Sequence, residues 1–343
     1  MTPSGKRETI VVTGASAGLG RAIAHAFARE GARIGLIARD RERLETVKRE
    51  VEELGGSALP LVADVASPEQ VEHAASQVED QFGPIDIWVN NAMTSVFASF
   101  KDISAEEFKR VTEVTYLGTV YGTSAALSRM LPRDQGVIVQ VGSALADRSI
   151  PLQSAYCGAK HGIRGFTDSI RCELRHDKSK VHLTMVQMPA LNTPQFSWVK
   201  SRLPNKPQPV PPIFQPEVAA DAVIWAAHHR RRELYVGMST VKAMWGNRFI
   251  PGLLDRYLSG KGYDAQQTDQ PERKDRPDNL WHPVPGPYGT HGEFDARARD
   301  KSPELWMTER KWWGVGLAAA GVAAAAAFMV GKRRLRVTNP SSP

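Results

Sequence analysis

Between residues 9 and 188, six short apolar runs rich in β-branched residues alternate with longer stretches of helical periodicity. The runs are "TIVVTG", "RIGLIA", "ALPLVADV", "IDIWVNNA", "GVIVQVGS" and "VHLTMVQM"; the helical patterns lie at 19–30, 40–54, 68–82, 104–131 and 154–176. Strands apolar on both faces must be covered on both, and helices placed between them impose a parallel arrangement. The expected fold class is therefore α/β, a doubly wound parallel sheet, over residues 7–250. With 343 residues, 42% of them hydrophobic, the chain can bury a core of that size.

The segment "TGASAGLG" (13–20) closes the first run and opens the first helical pattern. Gly14, Gly18 and Gly20 permit a tight turn and a close backbone approach to a pyrophosphate, which the helix N-terminus would face with N–H groups and partial positive charge. The second run ends in "LIARDRERL", where an adenosine ribose would lie. Ala38 leaves room there, and Arg39 offers a guanidinium able to fork onto a 2′-phosphate, which favours NADP over NAD. Asp40 leaves the other reading open, an acid for the ribose of NAD displaced by two positions. Further on, "SAYCGAKHG" (154–162) places Tyr156 and Lys160 four residues apart, on one face of a helix. A free phenol titrates near ~10, and an adjacent cation brings it toward a useful range for proton transfer.

In this order, "TGASAGLG", "NNA" (90–92), Ser143 and "YCGAK" resemble the short-chain dehydrogenase/reductase family. The resemblance implies a Rossmann fold and an NAD(P)-dependent oxidoreductase acting by hydride transfer. It makes Tyr156 the general acid/base and Ser143 a hydrogen-bond partner of the substrate oxygen. Lys160 would hold the nicotinamide ribose and lower the tyrosine's pKa. Cofactor contacts are implied for Gly14, Ser16, Gly18, Leu19 and Gly20 in the loop, and for Asp64 and Val65 at the adenine. They are further implied for Asn90, which would also tie the central strands of the sheet together near the cofactor, for Ala92, and for Thr193 at the carboxamide. Three positions depart from the family pattern. Met93 in "NNAM" replaces a glycine; Thr115 in "VTYLG" stands where a catalytic asparagine is usual, and is expected to take its part in a proton relay; "PALNT" carries Ala190 for a glycine and brings Thr193 one residue closer. The family resemblance also implies a homo-oligomer.

Other features bound the reading. Cys157 and Cys172 are too few for a disulfide framework or a metal site, so a reducing compartment is expected and no metal. The net charge of +7 gathers in "HHRRRE" (228–233) and "KRRLR" (332–336) without interleaved aromatics, which argues against nucleic acid. The start "MTPSGKRETIVVTG" lacks the apolar core of a secretory signal. Residues 189–216, rich in proline and aromatics, read as a functional lid or a partly disordered loop. "PEVAADAVIWAAHHR" reads as a helix and "ELYVG" as a last strand. Residues 251–310 read as an irregular extension, and 312–330, without a charge, as a transmembrane helix within 311–331, ahead of a basic tail (332–343). A membrane-anchored protein with a cytoplasmic catalytic domain is the resulting expectation. Leu145 and Leu152 are expected to face substrate, and Phe196, Trp198 and Phe214 either to line an apolar pocket or to pin the loop. His161 reads as a helix-surface residue. The function expected is NADP(H)-dependent interconversion of an alcohol and a ketone or aldehyde on a lipophilic small substrate. The alternative is a non-catalytic NAD(P)-binding membrane scaffold or sensor, which loss of Tyr156 or Lys160 would have favoured.

Overall fold

The computed structural model describes residues 7–309 except Lys274. The chain divides after Ser302 into two compact units, of which the second is described only at a short helix, Pro303–Glu309. The segment 312–330 and the basic tail lie outside the described residues; among the described residues no helix is long and apolar enough to cross a membrane.

Seven strands build the central sheet: β1 (Thr9–Thr13), β2 (Arg33–Ala38), β3 (Ser57–Val62), β4 (Ile87–Asn90), β5 (Val137–Val141), β6 (His182–Gln187) and β7 (Glu233–Tyr235). Their order is β3-β2-β1-β4-β5-β6-β7, every pair parallel. The six expected runs supply β1 to β6 and "ELYVG" supplies β7. The chain winds outward from β1 to β3 and then returns to the other side of β1. That reversal opens a crevice at the carboxyl ends of β1 and β4, the place where such sheets bind ligands.

Covering helices follow each strand: α1 (Gly18–Arg29), α2 (Arg41–Glu53), α3 (Pro68–Phe82), α4 (Ala105–Val111), α5 (Gly118–Met130) and α6 (Ser154–His176). Local chemistry sets their starts. Asp40 caps α2 by accepting from the Arg43 N–H, Ser67 caps α3 ahead of a proline, and Ser104 with Glu107 forms a capping box on α4. The single helix expected over 104–131 is broken by a π-helical turn at Thr112–Leu117. Such turns insert one extra residue and occur frequently at functional sites.

After β6 come α7 (Gln195–Trp198), α8 (Pro216–His228), α9 (Met238–Phe249) and α10 (Pro251–Lys261). The extension is therefore less irregular than expected, because α10 packs Leu254 against Gly246 of α9. The proline-rich loop is held by the extension. Asn205–Pro207 pairs antiparallel with Gln267–Pro271, and Ile213–Phe214 lies between Ala190–Leu191 and Ala298–Arg299. Buried amides lock these seams. Asn192, fully buried, donates to Gln215 Oε1 (3.0 Å) and Asp295 Oδ1 (2.8 Å) and accepts from the Phe294 N–H (3.0 Å). Leu152, expected to face substrate, is instead a core residue packed with Phe97, Val199 and Leu203, and Phe214 takes the second of its two expected parts, buried beside Gly237 within the loop's own small sheet.

Replacing Asn192 with alanine strands partners on two segments at once. Because unsatisfied buried polar groups each cost about 1–3 kcal/mol, Asn192→Ala should lower unfolding stability by at least about 2 kcal/mol in a urea titration.

Candidate active site

One cavity of about 400 Å³ runs along the carboxyl ends of the strands, a volume suited to a bound small molecule. Its first wall is the glycine loop. Gly14 and Gly18 adopt φ of +69° and +55°, and a Cβ on Gly20 would lie 2.1 Å from the Gly14 carbonyl oxygen, so only glycine allows this turn. Ser16 and Leu19 line the cavity beside it, and the first N–H groups of α1 lack intrahelical partners there. Thr193 and Ala92 also line it, Ala92 with its N–H on Thr13 Oγ1 (3.0 Å). The three glycines leave the backbone of this loop open at the start of α1, a cradle that fits a dinucleotide pyrophosphate.

Asn90 does not line the cavity as a cofactor contact, but it does tie the central strands together as expected. Its amide lies beneath the site, accepting from Trp88 Nε1 (2.8 Å) and donating to Thr123 Oγ1 (3.1 Å) and Gln140 Oε1 (2.9 Å). It ties β4 to β5 and α5. Its neighbour Asn91 lines the wall and donates to the Thr13 carbonyl (2.9 Å).

At the adenosine end, Ala38, Arg39 and Asp40 line the cavity together with Arg43, a residue the sequence reading missed. Asp40 is not free to meet a ribose: it caps α2 and pairs with Arg43 Nη2 (2.8 Å). Asp64, below Val65, is likewise engaged by Arg110 and by the Ala66 N–H (3.0 Å). Burial raises the Asp64 pKa, but these hydrogen bonds and the charge of Arg110 outweigh it, so the carboxyl stays below its ordinary range. Arg39 differs. Among the described residues no carboxylate pairs with it, and it donates instead to main-chain carbonyls of Asn279 (2.6 Å) and Trp281 (2.9 Å). Burial lowers its pKa; Asp64 opposes this while Arg110 and Arg43 add to it. A half-buried cation among cations is suited to an anion.

At the other end Ser143, Tyr156 and Lys160 come together. Ser143 and Tyr156 both line this end of the cavity, and Ser143 Oγ accepts from the Leu145 N–H (3.1 Å). Lys160, 3% exposed, donates from Nζ to the Val141 carbonyl (2.7 Å) and sits 5.6 Å from the centre of the Tyr156 ring. Burial pushes Tyr156 well above the ordinary phenol value, Ser143 pulling the other way, and lowers Lys160 to about 8. The expected depression of the tyrosine by Lys160 is thus not produced by these side chains alone: the ammonium faces the ring and a carbonyl, not the phenol oxygen. Thr115 is fully buried in the π-turn; its hydroxyl donates to the Thr94 carbonyl (3.0 Å) and accepts from the Thr94 N–H (3.1 Å). That hydroxyl has no second hydrogen to relay, so its observed work is to clasp the loop carrying Met93. Around the catalytic end lie Phe97, Leu145, Ile150, Phe196 and Val210, with Gln153 and Ser239 among the few polar groups.

Comparison with known proteins agrees with this geometry. The short chain dehydrogenase family model matches residues 8–202. "Uncharacterized oxidoreductase YxnA" of Bacillus subtilis (strain 168) is 34% identical over 78% of this chain and 75% of its own. A 3-dehydrosphinganine reductase of Danio rerio is 32% identical over 63% of this chain and 67% of its own. Among solved structures, an alcohol dehydrogenase from the archaeon Thermococcus sibiricus, complexed with 5-hydroxy-NADP, superimposes with a TM-score of 0.60 at 29% identity, covering 67% of this chain and 96% of that one. The chain belongs to the short-chain dehydrogenase family and is an NAD(P)-dependent oxidoreductase of that class.

Two outcomes follow from the site. Thr115→Val should cost about 1–3 kcal/mol in thermal or urea unfolding by leaving the Thr94 backbone unpaired, while Thr115→Ser should retain most stability. For Lys160 the sign is set by linkage: between about 8 and 10.5 the unfolded chain keeps a proton the folded chain has lost, so this group adds stability as pH rises through that window. The ammonium is lost over the same range. Activity that needs it should fall as pH climbs through about 8, and a pH–rate profile flat from 7 to 10 would exclude a working ammonium.

Proposed function

We propose that the protein is an NADP(H)-dependent reductase or dehydrogenase interconverting a secondary alcohol and a ketone on a lipophilic substrate. The observation that carries this is one cavity with a half-buried cation, Arg39, that no carboxylate among the described residues pairs with at one end, and the Ser143–Tyr156–Lys160 cluster in an apolar chamber at the other. NADP supplies the hydride chemistry. Arg39 would hold its 2′-phosphate, and the glycine loop its pyrophosphate.

In the reductive direction the Tyr156 hydroxyl donates its proton to the substrate carbonyl oxygen, and Ser143 orients that oxygen by a second hydrogen bond. A phenol kept protonated by burial is a competent donor, while Lys160 offers its N–H groups to the nicotinamide ribose and its charge against the phenolate that forms. Phe97, Leu145, Ile150 and Phe196 exclude water from the reacting oxygen. Those walls carry no charge, which disfavours phosphorylated or carboxylated substrates and supports long-chain ketones; the relationship to a 3-dehydrosphinganine reductase supports the same class. Thr193 would meet the carboxamide. From the sequence alone, 312–330 would anchor a cytoplasmic catalytic unit to a membrane, and carbonate extraction that washes the full-length chain into the soluble fraction would exclude this.

The decisive assay is oxidation of NADPH and NADH with ketones of increasing chain length. Turnover should favour NADPH and long chains. Arg39→Ala should raise KM for NADPH about tenfold or more and leave NADH nearly unchanged, since charge-assisted hydrogen bonds of this kind contribute about 1.5–3 kcal/mol. Tyr156→Phe should lose about a hundredfold or more in kcat with cofactor binding retained; near-normal rates would refute the mechanism.

A further inference from the structure

Residues 278–289 of the extension cross the adenosine end of the cavity, where Asn279 and Pro283 form part of its wall. Their main-chain carbonyls take up the cations of that end. Arg39 donates to three of them, those of Asn279 (2.6 Å), Trp281 (2.9 Å) and Leu280 (3.5 Å), while Arg110 Nε donates to Leu280 (3.1 Å) and Arg43 to Val284 (3.0 Å). The carbonyl of Gly289 accepts from the Gly18 N–H of the phosphate loop (2.9 Å). Carbonyls orient a guanidinium without cancelling its charge, as a carboxylate would. Of the five N–H donors of Arg39, the three bonds to this strap use both on Nη1 and one on Nη2, leaving Nε–H and a second Nη2–H as a fork for an anion.

Lys200 pairs with Asp278 (3.2 Å) and the Asn279 N–H donates to the Trp198 carbonyl (2.9 Å), and between these contacts and Val284 one side chain fixes the carbonyls that face Arg39. Leu280 is fully buried among Val96, Ala98, Val111 and Ala155, a cluster against which Tyr156 also packs. We infer that this strap is the outer wall of the 2′-phosphate subsite and that Leu280 is a positioning residue for Arg39, so that discrimination between NADP and NAD depends on the extension as well as on β2. The inference rests on the NADP reading above.

The test is calorimetric titration of the full-length chain with adenosine 2′,5′-bisphosphate and with 5′-AMP, neither of which carries the nicotinamide that would engage Tyr156 or Lys160. The wild-type chain should prefer the bisphosphate by about tenfold or more. Leu280→Ala should remove most of that preference and leave 5′-AMP affinity within about twofold, Leu280→Met should retain it, and in an Arg39→Ala background Leu280→Ala should change the preference no further. A folded Leu280→Ala protein that keeps the preference overturns the role of the strap and leaves the NADP reading standing. A wild-type chain without any preference overturns the NADP reading, and this inference with it. Should Leu280→Ala fail to fold, hydrogen exchange of 278–284 in the wild-type chain decides: slowing by the bisphosphate beyond that by 5′-AMP supports the wall, and equal exchange with both overturns it.

Discussion

Lys160 reaches from the second turn of α6 to the Val141 carbonyl at the end of β5, and this charge-assisted bond of 2.7 Å holds the catalytic helix against the sheet. Everything at the reacting end is placed from it. Tyr156 lies one turn earlier on the same face of α6, and Ser143 lies two residues beyond Val141, so the bond that joins helix to strand also brings phenol and hydroxyl together. The arrangement costs solvation. A buried ammonium is pushed toward neutrality, to about 8 here, and only the carbonyl and the tyrosine ring face oppose that. A lysine left in this state gains from any further acceptor, and ribose hydroxyls are acceptors of the right kind.

What could be read from the sequence divides by range. The strands were legible because both-face burial writes continuous apolar runs, and the helices because their buried faces repeat with helical period. The π-turn at Thr112–Leu117 was not, because Thr115 bonds Thr94 and that pairing joins residues on separate elements. The same reason hid the division of labour in "NNA": only the pleat of β4, which turns Asn90 toward Thr123 and Gln140, decides that Asn91 and not Asn90 faces the cavity. Asp40 shows a local rule overlooked. An acid three residues before Arg43 at a helix start is a cap, and recognising it gives Asp40 a structural task besides the ribose contact considered for it. The extension was the least legible part, since Gln266 and Asn192 act on partners about a hundred residues away in sequence and no periodicity announces them.

The charges around the adenosine end are arranged by pairing some and leaving one. Arg43 is matched by Asp40 and Arg110 by Asp64, so each pair contributes little net field at the cavity. Arg39 is held only by carbonyl dipoles among the described residues. For unit charges 4 Å apart the interaction is about 1 kcal/mol in water and about 4 kcal/mol at an effective dielectric of 20. Partial burial therefore raises the attraction of Arg39 for any anion at the same time as it raises the cost of leaving the cation alone. Selectivity of this kind needs the cation to be both dry and immobile.

Immobility is what the extension adds, and it adds it at both ends of one cavity. Gln266, fully buried, accepts from Gln153 (2.7 Å) and donates to the Pro151 carbonyl (2.9 Å), bracing the segment that leads into α6. Leu280 lies in the cluster that Tyr156 packs against, while its flanking carbonyls orient Arg39. An arginine on the surface samples many rotamers, and fixing one costs up to about 2 kcal/mol that binding must offset. Here the fixing is done by folding, before any ligand arrives, so more of each phosphate contact remains as affinity. Tyr156 stands on α6 and Arg39 just beyond the end of β2, and the chain that touches the surroundings of both is the extension. Its sequence looks irregular because its structural work is done largely by backbone carbonyls, to which many side chains are indifferent.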